Sequence, residues 1–441
     1  MSLIIPANSA AAGGGYDVAN SCMFNVGDDA KLSRTAPNSS ATHDDKFTFS
    51  FWVKRSVLGA EQQIYSTFDG GGAPYQEFQF YFQETDKLRI QTHNSSNLME
   101  LIPTRLFRDV SAWYHFVFAY DSSQGTASNR AKLYVNGTQE TSFSTETYPD
   151  QNTDGEFAIQ NHIQAIGNNT ANNRDSGLYL TEVVGVDGQA LAPTEFGEFD
   201  GDSGIWKPKD VSEINVGTLG FYLDFEDSSA LGNDVSGVGD FTVSNLAATD
   251  QGTDTCTNNF VTLNRLDTHA SATLSQGNTG IATTAGGWYG GSATMGITLG
   301  QSLYFEAKAI STARLYFGLS RIGQGVRGTA LNNAAEGDAN FDYMWRTTSA
   351  NSVWYGGSDQ SITIAATSAN DICACRVNTD GQVIFYKNDA VVVTYSTTLV
   401  AGYTYFPILS VNAYGGGTES WLGNFGNPSY AITSSNTDPD G

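Results

Sequence analysis

Apolar and polar residues alternate along much of this chain with a period of two, which puts successive side chains on opposite faces of a strand. FTFSFWVKR (Phe47 to Arg55) alternates in its first half, and YQEFQFYFQ (Tyr75 to Gln83) alternates. EQQIYSTF (Glu61 to Phe68) lies between them and ends in the turn DGGG from Asp69. KLRIQTH, AWYHFVFAYD and AKLYVNGTQ follow, and Asn136-Gly137 in the last is a tight hairpin signal. IQAIGN and GLYLTEVVGVDG (Gly177 to Gly188) close the set, and the one helical turn lies near Pro193 to Phe196. Many short strands at this spacing predict a β-sandwich.

The pattern thins from 201 to 265, where GFYLDFED is the one good strand in a stretch rich in Asp, Thr and Asn. It resumes with SLYFEAKAI, RLYFGLS, NFDYMWR, DICACRVN, QVIFYKND and TYFPILSVNAY. The predicted organisation is therefore all-β, with two antiparallel jelly-roll β-sandwiches in tandem joined by a polar linker. An N-terminal arm covers 1–18, the first sandwich 19–200 and a linker with one strand 201–265. The second sandwich covers 266–428, and a loose tail 429–441.

Composition narrows the partners. With 22 basic and 46 acidic residues the formal charge is −24, so nucleic acid and anionic membrane surfaces are disfavoured. Charged residues make up only 15 %, against about 25 % in typical soluble chains, so Ser, Thr, Asn and Gly must cover the surface. Cys22, Cys256, Cys373 and Cys375 have no metal-site spacing; Cys373 and Cys375 would share one strand face, too close for an unstrained disulfide. All four are expected to be reduced apolar fillers. The start, MSLIIPANSA, has no basic residue and a three-residue apolar run, unlike a signal peptide. No stretch approaches a membrane span. An extracellular-looking surface on a chain expected to be made in a cytosol fits proteins that leave a cell by lysis.

FSFWVKR, WYHFVFAYD, the LYVNG hairpin and DGQALAPTEFGE, in that order, resemble the laminin-G-like domains of concanavalin A type. YFEAKAI, LYFGLS, DICACRVNTDGQVIFYKND, YFPILSV and WLGNFG resemble a SPRY domain, with Asp389 where that family often has Gly. The tandem is similar to virion proteins of tailed phages. The resemblance implies a bacteriophage structural protein, located in the virion as a fibre, appendage or decoration protein. It would display lectin-like domains for host-surface or glycan contact. The alternative is a purely architectural component that binds only neighbouring subunits. Expected partners are other virion proteins, sister copies in a homo-oligomer, and host polysaccharide.

No GxSxG elbow or HExxH pair is present, the five histidines are scattered, and GQGVRG (Gly323 to Gly328) has no helix pattern after it. Acid pairs such as Glu195 and Glu198 are no more than chance supplies, so no catalysis is expected. His115, inside a strand run, reads as a satisfied core or edge histidine. No cofactor is required. Calcium is the one cation the resemblance brings in, with Asp69 and Asp175 as loop ligands; ordinary Asp turn chemistry is the alternative. GGWYGG and VWYGG set Trp288, Tyr289, Trp354 and Tyr355 beside glycines, as loop anchors or as exposed glycan or partner contacts. Leu3, Ile4 and Ile5 form an apolar tip before Pro6 and the Gly13–Gly15 swivel. They would attach the chain to a neighbouring virion protein or sister subunit, or else add an edge strand to their own first domain.

Overall fold

A computed structural model describes residues 15–39, 45–69, 76–168, 174–311, 314–321, 341–347, 352–413, 417–427 and Tyr430. Among these residues there is no α-helix, and three short 3-10 turns include the expected one at Pro193–Glu195. The chain divides after Asn259 into two compact units.

The first unit contains, in order, β1 (Ser21–Phe24), β2 (Lys31–Thr35), β3 (Lys46–Arg55), β4 (Gln62–Phe68), β5 (Gln76–Phe82) and β6 (Leu88–Asn94). β7 (Asn97–Pro103), β8 (Trp113–Asp121), β9 (Ala131–Val135), β10 (Thr138–Gln139), β11 (Phe143–Thr147) and β12 (Ile163–Ile166) follow. β13 (Leu178–Asp187), β14 (Gly197–Phe199), β15 (Trp206–Pro208), β16 (Phe221–Leu223), β17 (Thr242–Ser244) and β18 (Gln251–Gly252) complete it. One sheet runs β10-β9-β8-β3-β13-β1-β18, with β16 on β13; the other runs β11-β7-β6-β5-β4-β12-β2-β17. Neighbours pair antiparallel.

β3 explains the sandwich. Phe47, Phe49, Phe51 and Val53 enter the shared core, where Phe51 meets Phe80 edge-on with centroids 5.1 Å apart. Such pairs add about 0.5–1.5 kcal/mol beyond area burial. Thr48, Ser50, Trp52 and Lys54 point the other way, yet all four are buried.

What buries Lys54 is the stretch expected to be a linker. Residues 201–259 belong to the first unit: β16 pairs with β13, β17 with β2 and β18 with β1. Two buried ion pairs fasten it, Arg34–Asp234 at 2.9 Å and Lys54–Asp254 at 2.8 Å. Arg34 also donates to Gln164 Oε1 and to the carbonyls of Leu219, Gly220 and Gly239, with its guanidinium 4.6 Å from the Phe241 ring. Asn259 Oδ1 accepts from Lys54, and Trp113 donates to Asp254. The first domain therefore ends at Asn259, not 200, and the second begins at Phe260, not 266. The segment looks like a linker because its strands are two or three residues long and its attachments are polar.

The second unit contains β19 (Leu263–Thr268), β20 (Thr273–Ser275), β21 (Gly280–Thr283), β22 (Tyr289–Ala293), β23 (Leu303–Ala309), β24 (Arg314–Arg321) and β25 (Phe341–Arg346). β26 (Ser352–Tyr355), β27 (Ser358–Thr363), β28 (Ile372–Val377), β29 (Gln382–Lys387), β30 (Ala390–Thr398), β31 (Tyr405–Asn412) and β32 (Glu419–Asn424) follow. Its sheets run β19-β22-β31-β24-β25-β26-β27 and β20-β21-β32-β23-β28-β29-β30. Phe305, Phe317, Trp345, Phe385 and Trp421 fill the core, and Cys373 and Cys375 enter it from one face of β28. All four cysteines are buried and free. The β29–β30 turn keeps its form without Gly, because Asn388 and Asp389 both take positive φ, 47° and 69°.

Tyr430, the described residue of the expected tail, places its hydroxyl 3.4 Å from Glu306 Oε2, and Lys308 Nζ sits 5.3 Å from its ring centroid. Leu3, Ile4 and Ile5, His43 and the Gly323–Gly328 run lie outside the described residues.

Candidate functional site

Of the chain's seven tryptophans, Trp52, Trp113, Trp206, Trp345 and Trp421 are buried. Trp288 and Trp354 are the two that reach solvent, each half-buried. Both belong to the second unit, and both stand on the outer face of the β22-β31-β24-β25-β26 sheet. β24 sends Leu315, Phe317 and Leu319 inward, so Tyr316 faces out. Trp288, from the Gly286-Gly287 turn before β22, stacks on the Tyr316 ring at 3.7 Å and 17°. Strand register then sets Ser292, Ile408, Gly318, Met344 and Trp354 in one row across five strands. Met344 and Ile408 join Tyr316 beneath the two indoles. Burial raises the Tyr316 pKa, and its hydrogen bond with Arg346, one strand over, works against that rise.

Only two of the four predicted contact residues meet here. Tyr289 tilts against His269 at 4.6 Å. Tyr355 packs on Tyr343 at 5.1 Å, on the core side of β26. Tyr316, Met344, Ile408 and Arg346 were not foreseen. The alternation in RLYFGLS carries a signal for Tyr316, but the pairing that gathers the set comes from distant strands.

The two calcium candidates lie at opposite ends of β12. Register pairs Phe68 with Ile163, so Asp69 falls at the His162 end, and its charge acts on that ring. Asp175 lies near Asn168, beyond the other end. Asp175 Oδ1 accepts from Asn168 Nδ2 at 2.7 Å, and its Oδ2 from the Gly27 N–H at 3.3 Å. Burial, together with the neighbouring Asp29 and Asp28, pushes the Asp175 pKa up. Asn168 is 2 % exposed, and among the described residues its Oδ1 has no hydrogen-bond partner. An unpaired carbonyl oxygen beside two carboxylates suits a hard cation. No group of three His, Cys, Asp or Glu placed to hold a metal occurs among the described residues, so such a site would lean on the Asn168 amide.

His115 resembles half of a nucleophile–base pair, since its Nε2 is 3.0 Å from Ser50 Oγ. Its other neighbour decides the matter. Trp206 Nε1 donates to His115 Nδ1 at 2.9 Å, and an indole N–H can only donate. In the neutral ring the proton therefore sits on Nε2 and is given to Ser50, the wrong direction for activating a hydroxyl. Burial pushes the His115 pKa down to about 3, which keeps the ring neutral. It is a satisfied histidine, sandwiched between Trp52 and Trp206. Glu195 sits in the 3-10 turn, while Glu198 pairs with Lys207 at 3.3 Å.

A match to a family of sandwich proteins agrees with the fold of the first unit. Residues 27–177 match the family described as the Concanavalin A-like lectin/glucanases superfamily. No curated protein matches the chain. Solved structures similar to it include the SPRY domain of human HERC1, with 16 % identity, 34 % of this chain and 91 % of that one, and a TM-score of 0.28. A native heptameric SAP-like pentraxin from Limulus polyphemus is 16 % identical over 40 % of this chain and 80 % of that one, with a TM-score of 0.29. A putative carbohydrate binding protein from Bacteroides ovatus is 15 % identical over 52 % of this chain and 58 % of that one, with a TM-score of 0.36.

Proposed function

We propose that this chain is a non-catalytic, carbohydrate-contacting component of a bacteriophage virion, and that the Trp288–Trp354 face of its second sandwich is the contact surface. The observation that carries the reading is the sorting of the tryptophans: five are buried, and the two that are not share one sheet face. Flat aromatic rings receive the apolar faces of sugar rings, while polar groups at the rim fix their orientation. Arg346, half-buried beside Tyr316, stands at that rim. The lectin-type family match to the first unit supports the same reading. The virion placement is supported by the tandem resemblance and by a sparsely charged composition rich in Ser, Thr and Gly. Several copies on one particle would multiply a weak contact through avidity.

Calcium binding at Asn168, Asp175 and Asp29 is a second reading, favoured by the unpaired Asn168 oxygen.

The test has two arms. The full chain and its Trp288→Ala/Trp354→Ala variant are applied to arrayed host-surface polysaccharides, and purified particles are analysed by mass spectrometry. Binding that the double variant loses, with the chain present in particles, is the expected result. A chain present in particles that binds no polysaccharide in any oligomeric state is architectural. A chain absent from particles overturns the virion placement.

A further inference from the structure

β13 carries one irregularity. Its pairing with β3 shifts register between Thr181 and Val184. Within the shift Glu182 takes a φ of 50°, a left-handed conformation that a non-glycine side chain holds only where its surroundings fix it. The bulge aims a carboxyl that is only 5 % exposed at two phenols. Tyr222 donates to Oε2 at 2.9 Å, and Tyr16 reaches Oε1 at 3.5 Å.

The two phenols are held very differently. Tyr222 lies in β16, paired with Val184, and its N–H donates to Asp234. Tyr16 lies in no strand. Its segment is fastened by Thr257, whose Oγ1 accepts from the Val18 N–H at 3.0 Å and lies 3.3 Å from the Val18 carbonyl. Tyr16 and Val18 otherwise pack on Met23, Trp52, Tyr179 and Cys256. The charges acting on Glu182 are Asp224, Glu226 and Asp210, all acidic. The other ionisable groups about it are the two phenols and the Cys256 thiol.

We propose that Glu182 is a proton-operated latch on the N-terminal segment: its neutral carboxyl keeps Tyr16 docked, and its ionisation lets residues 15–18 lift off the sandwich. A carboxylate at this position needs water, because burial and three nearby acids oppose it. Water can enter most easily where the longer hydrogen bond and the strandless segment are; releasing Tyr222 would unpair β16. Burial first, then the acids, push the Glu182 pKa up to about 8, against the bond from Tyr222. The folded-state pKa thus lies above the value of a free carboxyl. Docking is fully favoured below about pH 4.3 and is lost as pH rises through about 8.

Hydrogen exchange of the full chain, corrected for the intrinsic pH dependence of exchange, reads the latch at the Tyr16 to Val18 amides. Protection should be greatest below about pH 4.3, fall about tenfold per unit from there to about pH 8, and level off above it. In Glu182→Gln it should stay flat. In Tyr16→Phe it should be low already at about pH 4, where the native chain is fully protected, with an unchanged far-UV circular dichroism spectrum. Flat protection in the native chain up to about pH 10, or the same fall in Glu182→Gln, overturns the proposal. Should Glu182→Gln fail to fold, Tyr16→Phe decides: native-level protection with the native midpoint overturns it as well.

Discussion

Each sandwich has a sheet whose outer face is built from aromatic and polar side chains, and the two faces have opposite fates. In the first unit Thr48, Ser50, Trp52, Lys54 and His115 are buried, and each has a partner: Thr48 bonds to Gln189, His115 joins Ser50, Trp52 and Trp206 of β15, and Lys54 reaches Asp254 and Asn259. In the second unit Trp288 and Trp354 lie over Tyr316, Met344 and Ile408 and stay half open to water. Aromatic content alone does not mark a contact surface. What matters is whether the chain supplies its own cover.

The sharpest way to break the comparison is to remove the cover of the first face. Asp254→Ala would leave Lys54 buried without its carboxylate, and breaking such a pair costs about 3–5 kcal/mol. The thermal transition of the first unit should fall steeply in calorimetry while that of the second stays in place. Joint movement of both would mean that the units do not melt separately.

Acid gives the next largest effect. His115 is neutral when folded, with its pKa near 3, and takes up a proton on unfolding. The first unit should therefore be at full strength above about pH 6.5 and lose up to about 1.4 kcal/mol per pH unit from there down to about pH 3. His115→Gln, measured by urea unfolding across that range, should flatten the slope; an unchanged slope would assign it to other groups.

The open face should show smaller stability effects. Trp354→Ala removes a half-buried ring and should cost about 1–2 kcal/mol, against about 3–5 kcal/mol for Trp345→Ala in the core of the same sheet. Equal losses would mean that Trp354 is an anchor rather than a contact residue. The smallest effect concerns calcium: millimolar calcium should raise the first unit's melting temperature by a few degrees at most. Asn168→Ala should abolish that rise, and a rise of equal size in the variant would move the site elsewhere.

The strands and the two-sandwich plan could be read from the sequence because they rest on local alternation and on turn residues such as Asn136-Gly137. The cover is not legible because its strands have two or three residues and its side-chain attachments, such as Arg34 to Asp234 and Lys54 to Asp254, join residues far apart in the sequence. No local period records such a bond. The same limit applied at the candidate site. Gly-flanked aromatics drew attention to Trp288 and Trp354, but Tyr289 and Tyr355, each one residue further on, face elsewhere. Which of each pair faced out depended on register with β31 and β25.

The central claim is that the second sandwich presents an aromatic face, Trp288 and Trp354 over Tyr316, that stays half open to water. Mild tryptophan oxidation, mapped by mass spectrometry with and without host-surface polysaccharide, tests it most directly. Trp288 and Trp354 should oxidise first, and polysaccharide should protect these two alone. Oxidation spread evenly over all seven tryptophans, or unchanged by every polysaccharide tried, would contradict it.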